Sequence, residues 1–184
     1  MNVYDFDKTI FYPDSTFTFI KYCMRRYPKW FKPFLGDIAK SFAEYKKSGD
    51  AAAFKEALFG FLTYVPDIDS VVEDFWDNHI KNIGVWYLNQ KKSDDVIISA
   101  SPEFLLRPMA DAFGFELIAT KMDKYSGKIA GANCHDAEKV RRFREVYPHA
   151  EIEEFYSDSL SDAPMAELAA KAYMVKKGTV SPWH

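Results

Sequence analysis

The chain has 184 residues, of which 48% are hydrophobic and 28% are charged, a composition typical of a folded globular protein rather than a disordered one. Its net charge of −3, with basic residues scattered along the chain, argues against a nucleic-acid partner. The two cysteines lack CxxC spacing, which argues against a disulfide framework. The sequence shows no basic segment followed by an apolar leader and no long apolar run, so we expect a cytoplasmic protein without a membrane span.

The first elements in chain order are a short strand at residues 2–6 and a long helical segment. Apolar residues then recur at helical spacing in four stretches, without a strand between them. The first stretch begins near Asp14, and the second runs from Trp30 to Lys47. The third runs from Asp50 or Ala51 to Leu62, and the fourth from Asp69 to Ile80. The pattern predicts a small helical bundle at residues 13–80, which we call the cap.

Aromatic residues make up 17% of the chain and are concentrated before residue 90. Rings at helical spacing usually fill a core, so we favour core packing over an aromatic recognition surface.

After residue 81 the sequence alternates between strand and helix. The successive stretches are WYLNQKK (helix), DDVIISAS (strand), EFLLRPMADAFG (helix), FELIATKM (strand), DKYSGKIAG (hairpin), DAEKVRRFREVYP (helix), EIEEFYSDS (strand), DAPMAELAAKA (helix) and AYMVKKG (strand). Such alternation is typical of a parallel sheet covered by helices. The predicted fold class is therefore α/β, a doubly wound, Rossmann-like parallel sheet of order 3-2-1-4-5. Residues 1–12 and 81–184 are predicted to form the catalytic core, into which the α-helical bundle cap at residues 13–80 is inserted.

Polar residues stand where three of the predicted strands end. Asp5 follows the first strand, Ser99 closes VIIS, and Asp158 follows EEFYS. In a doubly wound sheet these strand ends meet at one edge, where ligands bind. Lys139, on the helix before the fourth strand, is placed to reach the same edge.

These residue types together suit phosphoryl chemistry. Carboxylates at one edge repel one another, and a hard cation such as Mg²⁺ keeps them ionised. Lys139 and a hydroxyl such as Ser99 can bind a phosphoryl group, and a carboxylate can attack phosphorus. A second carboxylate, two residues on at Asp7, can act as the general acid.

Four motifs resemble those of the haloacid dehalogenase superfamily, in its order and spacing. YDFDKTI is similar to the DxDxT signature, VIIS to the second motif, HDAEKV to the third and SDSLSD to the fourth. The helical insertion after the first motif, the SASPEFL stretch and the hairpin before the lysine resemble the branch that contains phosphoserine phosphatase.

The resemblance implies a role for each matching residue. Asp5 would be the nucleophile and Asp7 the general acid and base, while Mg²⁺ would be held by Asp5, the backbone carbonyl of Asp7, and Asp158. Ser99 and the amide of Ala100 would bind phosphoryl oxygens, and Lys139 would offset their charge. Thr9 would brace the loop, and Asp162 would orient Lys139 or a metal-bound water.

Several of these residues also have structural interpretations. Asp5 and Asp7 alone could be turn formers, although their register with the other motifs argues against it. Ser101 is expected to cap the next helix rather than to serve the pocket. Asp14 resembles in placement a substrate-binding acidic residue, but helix capping is favoured. The four histidines, at 79, 135, 149 and 184, lack metal-ligand spacing.

The leading hypothesis is a Mg²⁺-dependent phosphatase that acts on a small phosphorylated metabolite, with the cap closing over the pocket. A phosphotransferase that uses the same aspartyl-phosphate, or a non-catalytic phospho-ligand sensor, are the alternatives. The leaving group stays open, with Asp14, Tyr22, Arg25 and Arg26 as cap residues that could select it. The oligomeric state is open as well.

Overall fold

The computed structural model describes residues 1–183, so His184 lies outside the described residues. In chain order the elements are β1 (Asn2–Tyr4), α1 (Ser15–Arg26), α2 (Pro28–Phe31), α3 (Leu35–Ser48), α4 (Ala51–Phe59), α5 (Ile68–His79), α6 (Val85–Gln90), β2 (Val96–Pro102), α7 (Glu103–Phe113), β3 (Glu116–Thr120), α8 (Ala137–Val146), β4 (Ile152–Ser157), α9 (Ala163–Ala166), β5 (Ala169–Lys176) and β6 (Thr179–Pro182). None of the helices within residues 1–183 has both the length and the apolar character to cross a membrane.

The strands form one six-stranded sheet in the order β3-β2-β1-β4-β5-β6. The first five strands run parallel, with β1 at the centre between β2 and β4. Alternate residues of the central strands enter two separate hydrophobic clusters, with Tyr4 and Ile97 in one and Val3, Val96 and Ile98 in the other. Both faces of the sheet are therefore covered, as in a doubly wound fold. The predicted α/β class and the order 3-2-1-4-5 are confirmed.

The carboxyl-terminal end departs from the prediction in two ways. The helix predicted over DAPMAELAAKA is wrong beyond its first turn, because α9 stops at Ala166 and the chain enters β5 at Ala169. Pairing of β5 with β4 overrides the helical propensity of the alanines. The sheet also gains an antiparallel edge strand, β6, after a turn in which Lys177 and Gly178 both have positive φ angles. Two such residues form the tight turn of a β-hairpin.

The helices of the cap follow the prediction except at the second and third, and the third, α4, ends at Phe59 where a 3-10 segment, Gly60–Tyr64, begins. The helix predicted from Trp30 to Lys47 is divided into α2, a 3-10 turn at Lys32–Phe34, and α3. Pro33 lies in that turn and lacks the N–H donor that a continuous helix would need. Gly49, with a φ of 75°, ends α3 at the predicted stop.

Most cap aromatics pack into a core that the cap shares with the sheet. Phe19, Phe59 and Phe75 are fully buried and lie in one hydrophobic cluster with Leu105 and Leu106 of α7. The rings of Phe19 and Phe75 meet edge to face, with centroids 5.3 Å apart. Core packing of the aromatics is therefore the main outcome, although several rings at the cap surface stay exposed.

Polar contacts also join the cap to the core. Trp76 Nε1 donates to the carbonyl of Leu105 at 2.7 Å, and the amide of Ile129 donates to Glu56 Oε1 at 2.8 Å. The predicted hairpin at residues 123–131 packs so closely on the end of α4 that a Cβ at Gly127 would lie 2.5 Å from the carbonyl oxygen of Phe59. The division of the chain at residues 13 and 80 stays a prediction.

Candidate active site

Three neighbouring strands end at the same edge of the sheet and bring the predicted site residues together. Asp5 directly follows β1, Asp158 follows β4, and Ser99 lies within β2. The amide of Asp5 donates to the carbonyl of Tyr156 at 2.8 Å, which extends the pairing of β1 with β4 to the acidic residue. A cavity of about 390 Å³ opens at this edge, and its lining includes Asp5, Asp7, Lys139, Asp158 and Asp162.

Lys139 supplies a buried cation at the floor of this cavity. Its Nζ lies 2.7 Å from Oδ1 of Asp5 and 2.8 Å from Oδ2 of Asp162, and the residue is 2% exposed. Burial alone would lower the pKa of a lysine, but the two carboxylates outweigh burial and raise the pKa of Lys139. Lys139 therefore stays charged at neutral pH and holds the two aspartates in fixed positions.

Both carboxylate oxygens of Asp5 accept a hydrogen bond. Oδ1 accepts from Lys139, and Oδ2 accepts from the hydroxyl of Thr9 at 3.2 Å. Burial raises the pKa of Asp5 to about 7, with Lys139 opposing the rise and the charges of Asp162 and Asp7 adding to it. The carboxylate is thus rigidly placed, and its charge is only partly balanced by the residues around it.

Asp7 is fixed by donors from the cap and from the strand β2. The backbone amide of Ser15, at the start of α1, donates to Oδ1 at 2.5 Å, and the hydroxyl of Ser101 donates to Oδ2 at 2.5 Å. Burial raises the pKa of Asp7, the charge of Asp14 adds to the rise, and the bonds from Ser101 and Ser15 oppose it. A carboxyl group with a raised pKa can carry the proton that a general acid must deliver.

Ser101 is one of the site residues that sequence reasoning placed wrongly. Pro102 occupies the cap position of α7, and no side chain caps that helix, so the predicted capping role of Ser101 is wrong. The hydroxyl of Ser101 instead lies 2.7 Å from that of Thr16 and 3.2 Å from that of Ser15, besides its bond to Asp7. These buried hydroxyls link the first turn of α1 to the acidic group.

Ser99 and Ala100 occupy different positions around the cavity. Ala100 lines it together with Ser101, whereas Ser99 is fully buried. The Ser99 hydroxyl accepts from the amide of Ser101 at 3.0 Å and lies 3.5 Å from Asp7 Oδ2. The role of Ser99 and Ala100 toward a phosphoryl group stays a prediction.

Asp158 completes the acidic set at the mouth of the cavity. Burial raises its pKa, and the charges of Lys8 and Lys139 oppose that rise. Within residues 1–183, the structure contains no group of three or more His, Cys, Asp or Glu side chains arranged to hold a metal ion.

Comparison with known proteins places this arrangement in a family. The family model described as haloacid dehalogenase-like hydrolase matches residues 3–167, the stretch that carries Asp5, Lys139 and Asp162. The chain belongs to this family. A curated relative, Protein CicA of Caulobacter vibrioides, is 30% identical over 194 residues, which cover 95% of this chain and 86% of the relative.

Two solved structures share the fold of this haloacid dehalogenase-like hydrolase. A protein of unknown function from Bordetella pertussis matches with a TM-score of 0.74 and 22% identity, covering 94% of this chain and 87% of that one. A phosphoserine phosphohydrolase-like protein from Francisella tularensis matches with a TM-score of 0.56 and 17% identity, covering 94% and 86%. These likenesses confirm the fold that the sequence motifs indicate.

The proposed specificity residues of the hydrolase lie in two places. Asp14 lines the cavity, but it also caps α1, because its Oδ1 accepts from the amide of Phe17 at 3.0 Å. The favoured capping interpretation is confirmed. Tyr22, Arg25 and Arg26 line a separate surface depression beside His79.

Lys55 is a charged cavity residue that sequence reasoning missed. It extends from α4 and donates to the carbonyl of Ala100 at 2.7 Å and to Asn133 Oδ1 at 2.5 Å. Burial lowers its pKa to about 8, and the charges of Asp7 and Asp14 oppose that fall. A signal was present in the sequence, since Lys55 lies four residues after Ala51 and three before Leu58, on the same helix face as these two apolar residues.

Proposed function

We propose that this chain is a Mg²⁺-dependent phosphatase that hydrolyses a small phosphomonoester through a phosphorylated Asp5. The observation that carries the proposal is the ion cluster in which Lys139 bridges Asp5 and Asp162, with Asp7 in the same cavity. A fixed carboxylate beside a buried ammonium can attack phosphorus while the ammonium balances the charge of the phosphoryl group.

In the first half of the reaction, an oxygen of Asp5 forms a bond to phosphorus as the bond from phosphorus to the ester oxygen breaks. The departing alkoxide takes the proton of Asp7, whose raised pKa suits this donation. Thr9 and Lys139 hold the attacking carboxylate in place. The products of this half are the free alcohol and an acyl phosphate on Asp5.

In the second half, Asp7 returns as the general base. It takes a proton from a water molecule whose oxygen attacks phosphorus, and the bond between phosphorus and Asp5 breaks. Inorganic phosphate leaves, Asp5 is a carboxylate again, and Asp7 carries the proton for the next cycle. The bonds from Ser15 and Ser101 keep Asp7 aimed at the same point in both halves.

The residues present fit a magnesium ion. The donors at the cavity are oxygens, as Mg²⁺ requires, and the ion usually takes one or two carboxylates and keeps several waters. Asp5, Asp158 and the backbone carbonyl of Asp7 would hold it. When bound, the ion would neutralise charge on the phosphoryl oxygens.

The remaining assignments concern binding and location. We assign the amide of Ala100 and the hydroxyl of Ser99 to the phosphoryl oxygens, and the cap to shielding the reaction from water. A small phosphorylated metabolite is the proposed partner, rather than a nucleic acid, since the net charge is −3. A cytoplasmic location is supported by Cys23 and Cys134, which are both buried and unpaired.

The test replaces Asp5 with Asn and measures phosphate release from p-nitrophenyl phosphate. We expect release to fall to the uncatalysed rate, because the amide cannot attack phosphorus, and the wild type to lose activity in EDTA and recover it with Mg²⁺. Asp123→Asn, in the exposed hairpin, is the matched control and should keep full activity. Full activity of the Asp5→Asn protein would exclude the mechanism.

The same assay separates the alternatives. A phosphotransferase would form a phosphorylated product when glycerol or another alcohol is added, at the expense of free phosphate. A sensor would accept a phosphoryl group on Asp5 from acetyl phosphate and keep it without turnover. Either result would replace hydrolysis as the function.

A further inference from the structure

The cavity has two walls of different chemistry. Its floor carries the carboxylates and Lys139, while the wall formed by the cap is largely apolar. We call this second wall the apolar wall; it consists of Phe17, Tyr45, Ala51, Phe54 and Leu58. A ligand whose phosphoryl group sits on the floor would place its leaving group against this wall.

The central rings of the apolar wall are not needed to fill the core. Phe54 and Tyr45 belong to neither of the two buried hydrophobic clusters. They stack on each other with ring centroids 5.4 Å apart and an interplanar angle of 13°. Phe42 packs on Phe54 at the same centroid distance, so the wall is supported from behind.

Part of the apolar wall faces solvent. Phe17 is 55% exposed and Tyr45 is 37% exposed. Covering such surface with an apolar group is favourable, because it removes hydrocarbon area from water. The volume of about 390 Å³ is at the lower end of small-molecule sites, which leaves room for a phosphoryl group and a short chain or one ring.

The lysines of the cavity differ in their partners. Lys139 bonds to Asp5 and Asp162, and Lys55 donates to Ala100 and Asn133. Lys8 lies 3.7 Å from the carboxylate of Asp14. A carboxylate on the leaving group that packed on the apolar wall would lose hydration and would share the cavity with the negative Asp14.

We propose that the alcohol part of the substrate is an apolar group without a carboxylate, a short alkyl chain or a single ring, which packs on Phe54 and Tyr45. This inference rests on the proposed function, since the floor is taken to hold the phosphoryl group. An alkyl chain and a ring would make the same kind of contact with the apolar wall.

The test measures binding rather than turnover. The full chain with Mg²⁺ is titrated calorimetrically with ethyl-, butyl- and hexylphosphonate, phenylphosphonate, 2-aminoethylphosphonate and 3-phosphonopropionate. We expect Kd to fall about two- to fourfold per added methylene, from the free energy of burying one CH₂. We also expect butyl- or phenylphosphonate to bind at least about tenfold more tightly than 3-phosphonopropionate, whose carboxylate would be desolvated against the wall. Tighter binding of phenyl- than of hexylphosphonate would identify a ring, and the reverse a chain.

Variants of the wall give a second measurement. Phe54→Ala should flatten the dependence of Kd on chain length, while ethylphosphonate binding stays within about threefold of wild type. Phe54→Lys adds a free ammonium and should shift the preference toward 3-phosphonopropionate. Tyr64→Ala, an exposed cap ring outside the cavity, is the control and should leave the series unchanged.

The outcomes separate the two proposals. A Kd that does not change with chain length, or tightest binding of 3-phosphonopropionate or 2-aminoethylphosphonate by the wild type, would overturn the apolar leaving group, even if phosphate release depends on Asp5. A Kd that falls with chain length in a protein that releases no phosphate would support the apolar site and overturn the phosphatase assignment instead.

Discussion

The cavity contains a buried lysine on its floor and a half-buried lysine on the cap, and their surroundings have opposite effects on the pKa. Lys139 faces two carboxylates, and they raise its pKa. Lys55 faces the neutral oxygens of Ala100 and Asn133, and burial lowers its pKa to about 8. The surroundings of Lys139 therefore stabilise its charge, whereas those of Lys55 destabilise it.

The difference indicates how the work of the site is divided. The floor is arranged around fixed charges that can bind and transfer a phosphoryl group. The cap contributes rings and a lysine whose hydrogen bonds join α4 to β2 and to Asn133. Under the proposed function, the core would set the type of reaction and the cap would select the leaving group.

Replacing the floor lysine should have the largest effect. Lys139→Met leaves Asp5 and Asp162 buried without their cation, so we expect phosphate release at the background rate. The free energy of unfolding in EDTA should fall by about 3 kcal/mol, as expected when one partner of a buried ion pair is removed. Urea denaturation and the p-nitrophenyl phosphate assay measure the two effects.

Arg141→Met provides the matched control on the same helix. Arg141 pairs with Glu138 and Glu145 at the surface, where ion pairs contribute less than about 1 kcal/mol. A loss of stability as large as that of Lys139→Met would mean that α8, rather than the buried ion cluster, is what both variants damage.

The next effect concerns the hydrogen bonds that hold Asp7. Ser101→Ala removes a donor to a buried carboxyl group, an interaction of about 1.5–3 kcal/mol, so we expect kcat to fall about tenfold or more. Ser99→Ala should act mainly on KM if Ser99 binds the phosphoryl group. Steady-state kinetics of both variants distinguish the two hydroxyls. A larger kcat loss for Ser99→Ala would assign the alignment of Asp7 to Ser99 instead.

Local sequence patterns predicted the sheet and its carboxylates well. An apolar strand that ends in Asp5, and another that ends before Asp158, place both side chains at one edge whatever the details of packing. Lys139 followed from its motif on a helix. Such features depend on strand order and on the ends of elements, and both can be read from hydrophobic periodicity.

The parts that failed depend on contacts between distant segments. Ser101 was assigned to a helix cap because local sequence favours that role, while its actual partners come from α1 and the first acidic motif. Lys55 lies 45 residues from Ala100 and 78 from Asn133, so no periodicity connects them. The short α9 shows the same limit, because pairing of β5 with β4 decides where that helix ends.

The smallest predicted effect tests the cap lysine through pH. The pKa of Lys55 is about 8 in the folded protein and about 10.4 in an unfolded chain, so the unfolded state binds more protons between those values. Stability contributed by Lys55 should therefore rise with pH across that window, and the penalty of its buried charge should be complete below pH 8.

We expect the wild type to gain unfolding free energy relative to Lys55→Met between about pH 8 and pH 10, as measured by urea denaturation. Both proteins share every other titrating group, so subtracting their curves isolates this lysine. Lys47→Met, which removes an exposed lysine of α3 instead, serves as the matched control. A flat difference for Lys55→Met would show that its ammonium is not desolvated, and the contrast between the two lysines of the cavity would disappear.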